Sequence, residues 1–159
     1  MITRINVIIF ALLNATSFVS PASNISVARW IALTTTLAEI HDKLATLAKE
    51  VEAEVVCRQS NHEGLLIDWI NAAADEGFGG LLLNPGALTH TSYALYDSIR
   101  GAGLPVVEVH VSNPDAREPF RRRSRVAPAC LGRVAGFGAE SYLLALRALL
   151  GAIAAAKKG

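Results

Sequence analysis

At 159 residues and 16.9 kDa the chain suits one domain of ordinary size, over residues 1–159, and leaves little room for two. With 52% hydrophobic and 18% charged residues it is too apolar for disorder and rich enough to bury a full core. Fifteen basic against fourteen acidic side chains leave a net charge of +1, which excludes a global field for nucleic acid or an anionic membrane.

The first apolar run, Ile5-Asn-Val-Ile-Ile-Phe-Ala-Leu-Leu13, follows Arg4 and precedes Ser20-Pro21-Ala22, an arrangement that imitates a secretory signal. The β-branched residues Ile5, Val7, Ile8 and Ile9 favour a buried first strand instead, and the run is too short to span a bilayer. The sequons at Asn14 and Asn24 carry weight only in a secreted chain. From residue 34 the chain alternates between two periods. Thr35 or Thr36 caps a helix with Leu37, Ile40, Leu44, Leu47 and Val51 on one face. Ala53 to Cys57 reads as a strand, and a helix from about His62 to Ala74 carries Leu65, Leu66, Trp69 and Ile70.

The continuous apolar run Gly80-Leu-Leu-Leu83 reads as a strand buried on both faces. A helix from near Thr91 to Arg100 stops at Gly101-Ala-Gly103. Pro105-Val-Val-Glu-Val-His110 is the next strand, and the last lies around Cys130 to Val134. A long closing helix follows Gly136-Phe-Gly138, with Tyr142, Leu143, Leu146, Leu149, Leu150 and Ile153 inward. Strands alternating with helices predict an α/β sandwich around a parallel sheet. Two isolated cysteines, Cys57 and Cys130, form neither a disulfide framework nor a metal knuckle and read as reduced residues of a cytoplasmic protein.

Parallel sheets place their sites at the carboxyl ends of strands, which directs attention to Asn84-Pro-Gly-Ala-Leu-Thr-His90 and His110-Val-Ser-Asn113. His110 ends an apolar strand, with its imidazole at the mouth of the sheet, where it either donates a proton or bonds its own turn. Glu108, two residues earlier on the same face, either fixes the His110 tautomer or is a satisfied structural acid. Asn84, His90 and Ser112 offer neutral donors and acceptors suited to a polyhydroxylated ligand, or a capping turn. The cluster Arg121, Arg122, Arg123 and Arg125 has three readings: a solvated face, a nucleic-acid patch, or one arginine turned inward to hold a carboxylate bidentately. Its closeness to the His110 loop favours the third.

Six stretches in order resemble the type II 3-dehydroquinate dehydratases, flavodoxin-like enzymes of the shikimate pathway of aromatic amino acid biosynthesis. They are Gln59-Ser-Asn-His-Glu-Gly64 with Ile67-Asp-Trp-Ile70, Asn84 to Ser92, Val107-Glu-Val-His-Val-Ser-Asn113, Ala116-Arg-Glu-Pro-Phe-Arg121, Ser124 to Pro128, and Ala135-Gly-Phe-Gly138 with Tyr142-Leu-Leu-Ala-Leu146. The resemblance runs from about Thr34 to Leu150. It implies a three-layer sandwich on a five-stranded parallel sheet in the order 2-1-3-4-5, with helices on both faces. It implies an anti elimination of water from 3-dehydroquinate through an enolate, with His110 as general acid. Asn84, His90, Val111, Ser112 and Arg121 fall at substrate-binding positions, and Asp97 at one supplied to a neighbouring subunit's site. Trimers grouped into a dodecamer are implied, with no metal or organic cofactor.

The first 33 residues depart from the pattern. The family runs from its first strand into an Asn-Gly-Pro-Asn-Leu-Asn turn and a lid carrying an arginine and a tyrosine base. Here Ala11-Leu-Leu-Asn-Ala-Thr16 and Ser17 to Leu33 stand instead, and the tyrosine position falls at Ala32. Arg29 and Asn14 stand near the lid arginine's and turn asparagine's places without matching them residue for residue. The base is therefore unassigned. A diverged and weakened enzyme, a family-fold protein that only binds a polyhydroxy carboxylate or assembles, and an out-of-frame segment are the three explanations.

Overall fold

The computed structural model describes residues 5–11 and 36–157. The Asn14 position, the lid region with Arg29 and Ala32, and Leu12 and Leu13 of the first apolar run lie outside the described residues.

Strand β1 (Ile5–Ala11) lies between β2 (Ala53–Gln59) and β3 (Gly80–Asn84), with β4 (Val106–His110) and β5 (Gly132–Ala135) beyond. The order is β2-β1-β3-β4-β5 and every pairing is parallel, as expected for a flavodoxin-like sheet. Helices α1 (Leu37–Glu50) and α4 (Glu140–Ala156) pack on one face. Helices α2 (Glu63–Ala72) and α3 (Tyr93–Gly101) pack on the other.

Alternate residues of β1 serve the two layers. Val7 and Ile9 join Leu82, Val107 and Val109 against Ile40, Leu44, Tyr142 and Leu149, whereas Ile8 and Phe10 join Leu81 and Leu83 against Leu66, Ile70, Leu95 and Ile99. A strand covered on both faces needs an unbroken apolar run, which is why this stretch imitates a signal sequence. Each such side chain contributes about 1.5–3 kcal/mol on burial. Gly80 lets α4 approach β3, since a Cβ there would stand 3.0–3.2 Å from the methyl groups of Leu149 and Ile153.

Local signals fix several boundaries. Thr36 is the N-cap of α1: its hydroxyl accepts from the Glu39 amide at 3.2 Å while the Glu39 carboxylate accepts from the Thr36 N–H at 2.6 Å. Helix α3 starts at Tyr93 rather than Thr91, because Ser92 supplies the cap and Gly86–His90 forms a 3-10 turn of its own. The last strand starts at Gly132, two residues later than expected. Between β4 and β5 the chain makes three 3-10 turns, Pro114–Ala116, Pro119–Arg122 and Ala127–Ala129. Pro114, Pro119 and Pro128 set φ there and lack the N–H that a longer helix would require. Among the described residues no helix is long and apolar enough to cross a membrane.

Both thiols are half-buried and unpaired. Burial pushes Cys57 up to about 11, and burial with the nearby Glu108 charge pushes Cys130 up to about 12. In the unfolded chain both ionise near the ordinary thiol value of about 8.5. The stability they contribute is therefore complete below that value and is lost as pH climbs towards 11 and 12. The midpoint of urea unfolding should fall between about pH 8 and about pH 10.5, and less so in a Cys57→Ala, Cys130→Ala double variant.

Candidate active site

The carboxyl ends of the central strands are in register: Ala11 pairs with Asn84, Leu83 with Glu108, and His110 with Ala135. Side chains on adjacent strand ends therefore reach the same edge of the sheet. His110 closes β4, and its side chain is 8% exposed, more enclosed than a position at the mouth suggests. Its Nε2 lies 2.6 Å from Oε1 of Glu108, a fully buried carboxylate on the same strand face. With Nε2–H donated to Glu108, Nδ1 is the nitrogen left to exchange a proton with a ligand. Glu108 is thus in contact with the histidine, and the Ser124 hydroxyl donates to its second oxygen at 2.8 Å.

The glycine loop between β5 and α4 seats this strand end. Gly136 donates to the His110 carbonyl at 3.2 Å and Gly138 to that of Val111 at 3.0 Å. Gly136 has φ +96°, and a Cβ there would stand 3.1 Å from the Asn113 side chain, so glycine is needed on both counts. Val111 is half-buried against the α1–α4 layer. Ser112 is half-buried too, and its hydroxyl makes no hydrogen bond among the described residues, leaving it available to a ligand.

Asn84 points into the opposite layer from His110, since Leu81 and Leu83 face α2 and α3 while Leu82 faces α1 and α4. Its Oδ1 accepts from the Gly86 N–H at 3.2 Å, and its Nδ2 donates to the Tyr142 hydroxyl at 2.9 Å. One Nδ2 hydrogen remains. Burial holds the Tyr142 phenol far above the ordinary tyrosine range, so it stays neutral and acts as an acceptor that orients Asn84.

His90 ends the 3-10 turn after β3 and bonds through Nδ1 to the Arg123 carbonyl at 2.9 Å. The Arg125 N–H donates to the Thr89 carbonyl at 2.8 Å, so two bonds latch the arginine segment to this turn. The His90 ring meets Phe120 edge-on at 5.9 Å between centroids. Arg121 is half-buried: its guanidinium lies 4.8 Å over the Phe120 ring, and its Nε donates to Glu118 at 2.7 Å. Its two terminal nitrogens make no hydrogen bond among the described residues, leaving a planar fork for an oxyanion. Arg122 and Arg123 are exposed, and Arg125 covers Tyr93 at 5.2 Å. Asp97 is not gathered with these groups. It is exposed on α3, in an open groove of about 510 Å³ between α2 and α3 that Ile67, Asn71, Ala94, Ser98 and Gly101 also line.

The profile of the family described as Dehydroquinase class II matches residues 31–150. The 3-dehydroquinate dehydratase of Thermus thermophilus is 56% identical over 112 residues, covering 70% of this chain and 75% of that protein. The chain belongs to the class II dehydroquinase family. The 3-dehydroquinate dehydratase of Deinococcus radiodurans is 51% identical over 114 residues, 72% of this chain and 80% of its own length. Among solved structures, the type II dehydroquinase of Butyrivibrio crossotus has a TM-score of 0.81 at 30% identity, covering 92% of this chain and 97% of that one. A 3-dehydroquinate dehydratase-like protein of Bifidobacterium longum has a TM-score of 0.61 at 29% identity, covering 92% and 94%.

The profile match begins at residue 31, close to where the sequence rejoins the family pattern at Thr34. Within the dehydroquinase frame, Ser124 and Tyr142 were not singled out as site residues by sequence reasoning. Both stand in motifs shared with the family. Their partners, Glu108 and Asn84, come from 16 and 58 residues away, a juxtaposition that local pattern does not carry.

Proposed function

We propose that the chain removes water from 3-dehydroquinate to give 3-dehydroshikimate by an anti elimination through an enolate, with His110 as the general acid. The observation that carries this reading is the buried Glu108–His110 pair at the carboxyl end of β4, in a chain of the dehydroquinase family. A base other than His110 takes the C2 proton to leave an enolate, and Nδ1–H of the His110 imidazolium then delivers a proton to the C1 hydroxyl, which departs as water as the C1–C2 double bond forms. Glu108 supports this by holding Nε2–H, so that the proton is offered from one nitrogen alone. Asn84, His90, Ser112 and Arg121, with the backbone at Val111, cradle the hydroxyls and the carboxylate. The product is a conjugated enone, and its ultraviolet absorbance should rise when substrate is added. A rate equal to that of the uncatalysed control would refute the reading.

Arg121→Ala should weaken the binding of dehydroquinate by about 1–3 kcal/mol, the usual size of a charge-assisted hydrogen bond. Unchanged affinity by calorimetry would mean that the carboxylate lies elsewhere.

A second reading, a catalytically impaired or non-catalytic member that binds a polyhydroxy carboxylate or only assembles, rests on the missing tyrosine. The chain has three tyrosines: Tyr93 is exposed on α3, Tyr96 lies on the same helix, and Tyr142 is committed to Asn84. None of them stands at the family's base position, which falls at Ala32.

The reading extends to residues 1–159 as one domain, supported by the central place of β1 in the sheet. It extends to trimers grouped into a dodecamer, with Asp97 supplied to a neighbouring pocket, supported by the exposure of Asp97 in the α2–α3 groove. It extends to a cytoplasmic location, supported by two unpaired thiols. Light scattering at micromolar concentration should give a multiple of three protomers, and a monomer would refute the assembly.

A further inference from the structure

From the hydrogen-bond polarity around Glu108 we infer that Ser124 is a positioning residue that sets the tautomer of His110 from two bonds away. The inference rests on His110 being the proton donor of the proposed elimination. The Ser124 hydroxyl has one hydrogen and two lone pairs. The Val126 and Ala127 amides both donate to its oxygen, at 3.1 and 2.8 Å, and occupy the lone pairs. Its single hydrogen is therefore directed to the remaining neighbour, Oε2 of Glu108 at 2.8 Å.

That direction has a consequence along the chain. Oε2 therefore accepts from the serine, a bond that fixes the carboxyl plane and leaves Oε1 to accept from the histidine. Oε1 faces Nε2 of His110 at 2.6 Å in a fully buried position, where an unshared hydrogen bond to a carboxylate is costly to lose. The pair then settles with the hydrogen on Nε2, and Nδ1 is the exchanging atom. The two amides belong to the turn that leads into Ala127–Ala129. Because backbone N–H groups cannot reverse, they give the relay from amide to serine to glutamate to histidine a fixed polarity. Without Ser124, Oε2 loses its donor, the Glu108 carboxyl can rotate, and the imidazole is free to exchange tautomers.

The test is nitrogen NMR of the histidine rings in the full-length protein, with His110→Ala identifying the His110 signals. Near neutral pH the natural protein should show neutral His110 as the Nε2–H form alone. Ser124→Ala should show both tautomers, with kcat for enone formation lowered roughly tenfold and KM changed less than about twofold. Ser124→Thr keeps the hydroxyl and should restore both the single tautomer and kcat. A Ser124→Ala spectrum that still shows only Nε2–H would overturn the inference, as would a folded Ser124→Thr protein that fails to restore it. If neither the natural protein nor any variant forms the enone, the proposed reaction is wrong, and the tautomer result still judges Ser124 independently.

Discussion

Replacing His110 with alanine should lower the rate of enone formation by about 10²–10⁴, the range supplied by a positioned general acid. His110 is the one imidazole that ends a central strand with its Nε2 held by a buried carboxylate, so no neighbour is arranged to take over delivery of the proton. The deletion should act on kcat, since the proposed cradle assigns the carboxylate and hydroxyls of the substrate to Arg121, Asn84, His90 and Ser112 instead. The measurement is steady-state ultraviolet absorbance, with calorimetry to show that binding survives. A His110→Ala protein as active as its parent would remove the histidine from the mechanism.

The second large effect concerns the other half of the elimination. The sequence carries no tyrosine before Tyr93, and the three that it has lie on α3 or in the bond to Asn84. Turnover should therefore fall well below that of a relative such as the Thermus thermophilus enzyme, by about 10²–10⁴ for the missing base. A loss of lid closure would add to that deficit, because a closed lid excludes water and strengthens the stabilisation of the enolate. Replacing residues 11–33 with a family-type turn and lid should raise the rate by a similar factor, and the gain should vanish in the His110→Ala background. Full activity in the unaltered chain would mean that another residue removes the C2 proton.

These effects are separable because the acid and the base come from different parts of the chain. The proposed acid rests on β4, Glu108 and Ser124, which are joined by hydrogen bonds of 2.6 and 2.8 Å. The expected base belongs to the segment in which the sequence parts from its family. Ser124→Ala tests the order within the acid relay, and the segment replacement tests the base, so neither result is needed to interpret the other.

Much of the architecture was readable in the residues. The unbroken apolar runs at Val7–Phe10 and Gly80–Leu83 call for strands covered on both faces, and both lie in the interior of the sheet. Capping chemistry settles where α1 begins, because the reciprocal bonds of Thr36 and Glu39 are local. The boundaries that moved, at Thr91 and Cys130, lie where a 3-10 turn competes with the regular element. That competition is decided by tertiary bonds, such as Arg125 N–H to the Thr89 carbonyl and the Leu131 amide to the Val106 carbonyl.

The site divides in the same way. Position in sequence was enough to nominate His110, Glu108, Asn84 and His90, since a polar residue ending an apolar strand has few other places to go. Alternation also puts Glu108 and His110 on one face, because residues two apart in a strand share it. What sequence spacing cannot express is which groups satisfy a buried carboxylate or amide. Ser124 reaches Glu108 through the turns before β5, and Tyr142 reaches Asn84 from the far helix. The same holds for Arg121: the sequence offered four arginines, and packing against Phe120 and Glu118 decides how this one is held. Periodicity and local capping thus determined the layers and the start of α1, and strand position nominated His110 as a candidate. Only the folded chain, by bringing distant donors to buried acceptors that must be paired, decided the polarity and partners of the site.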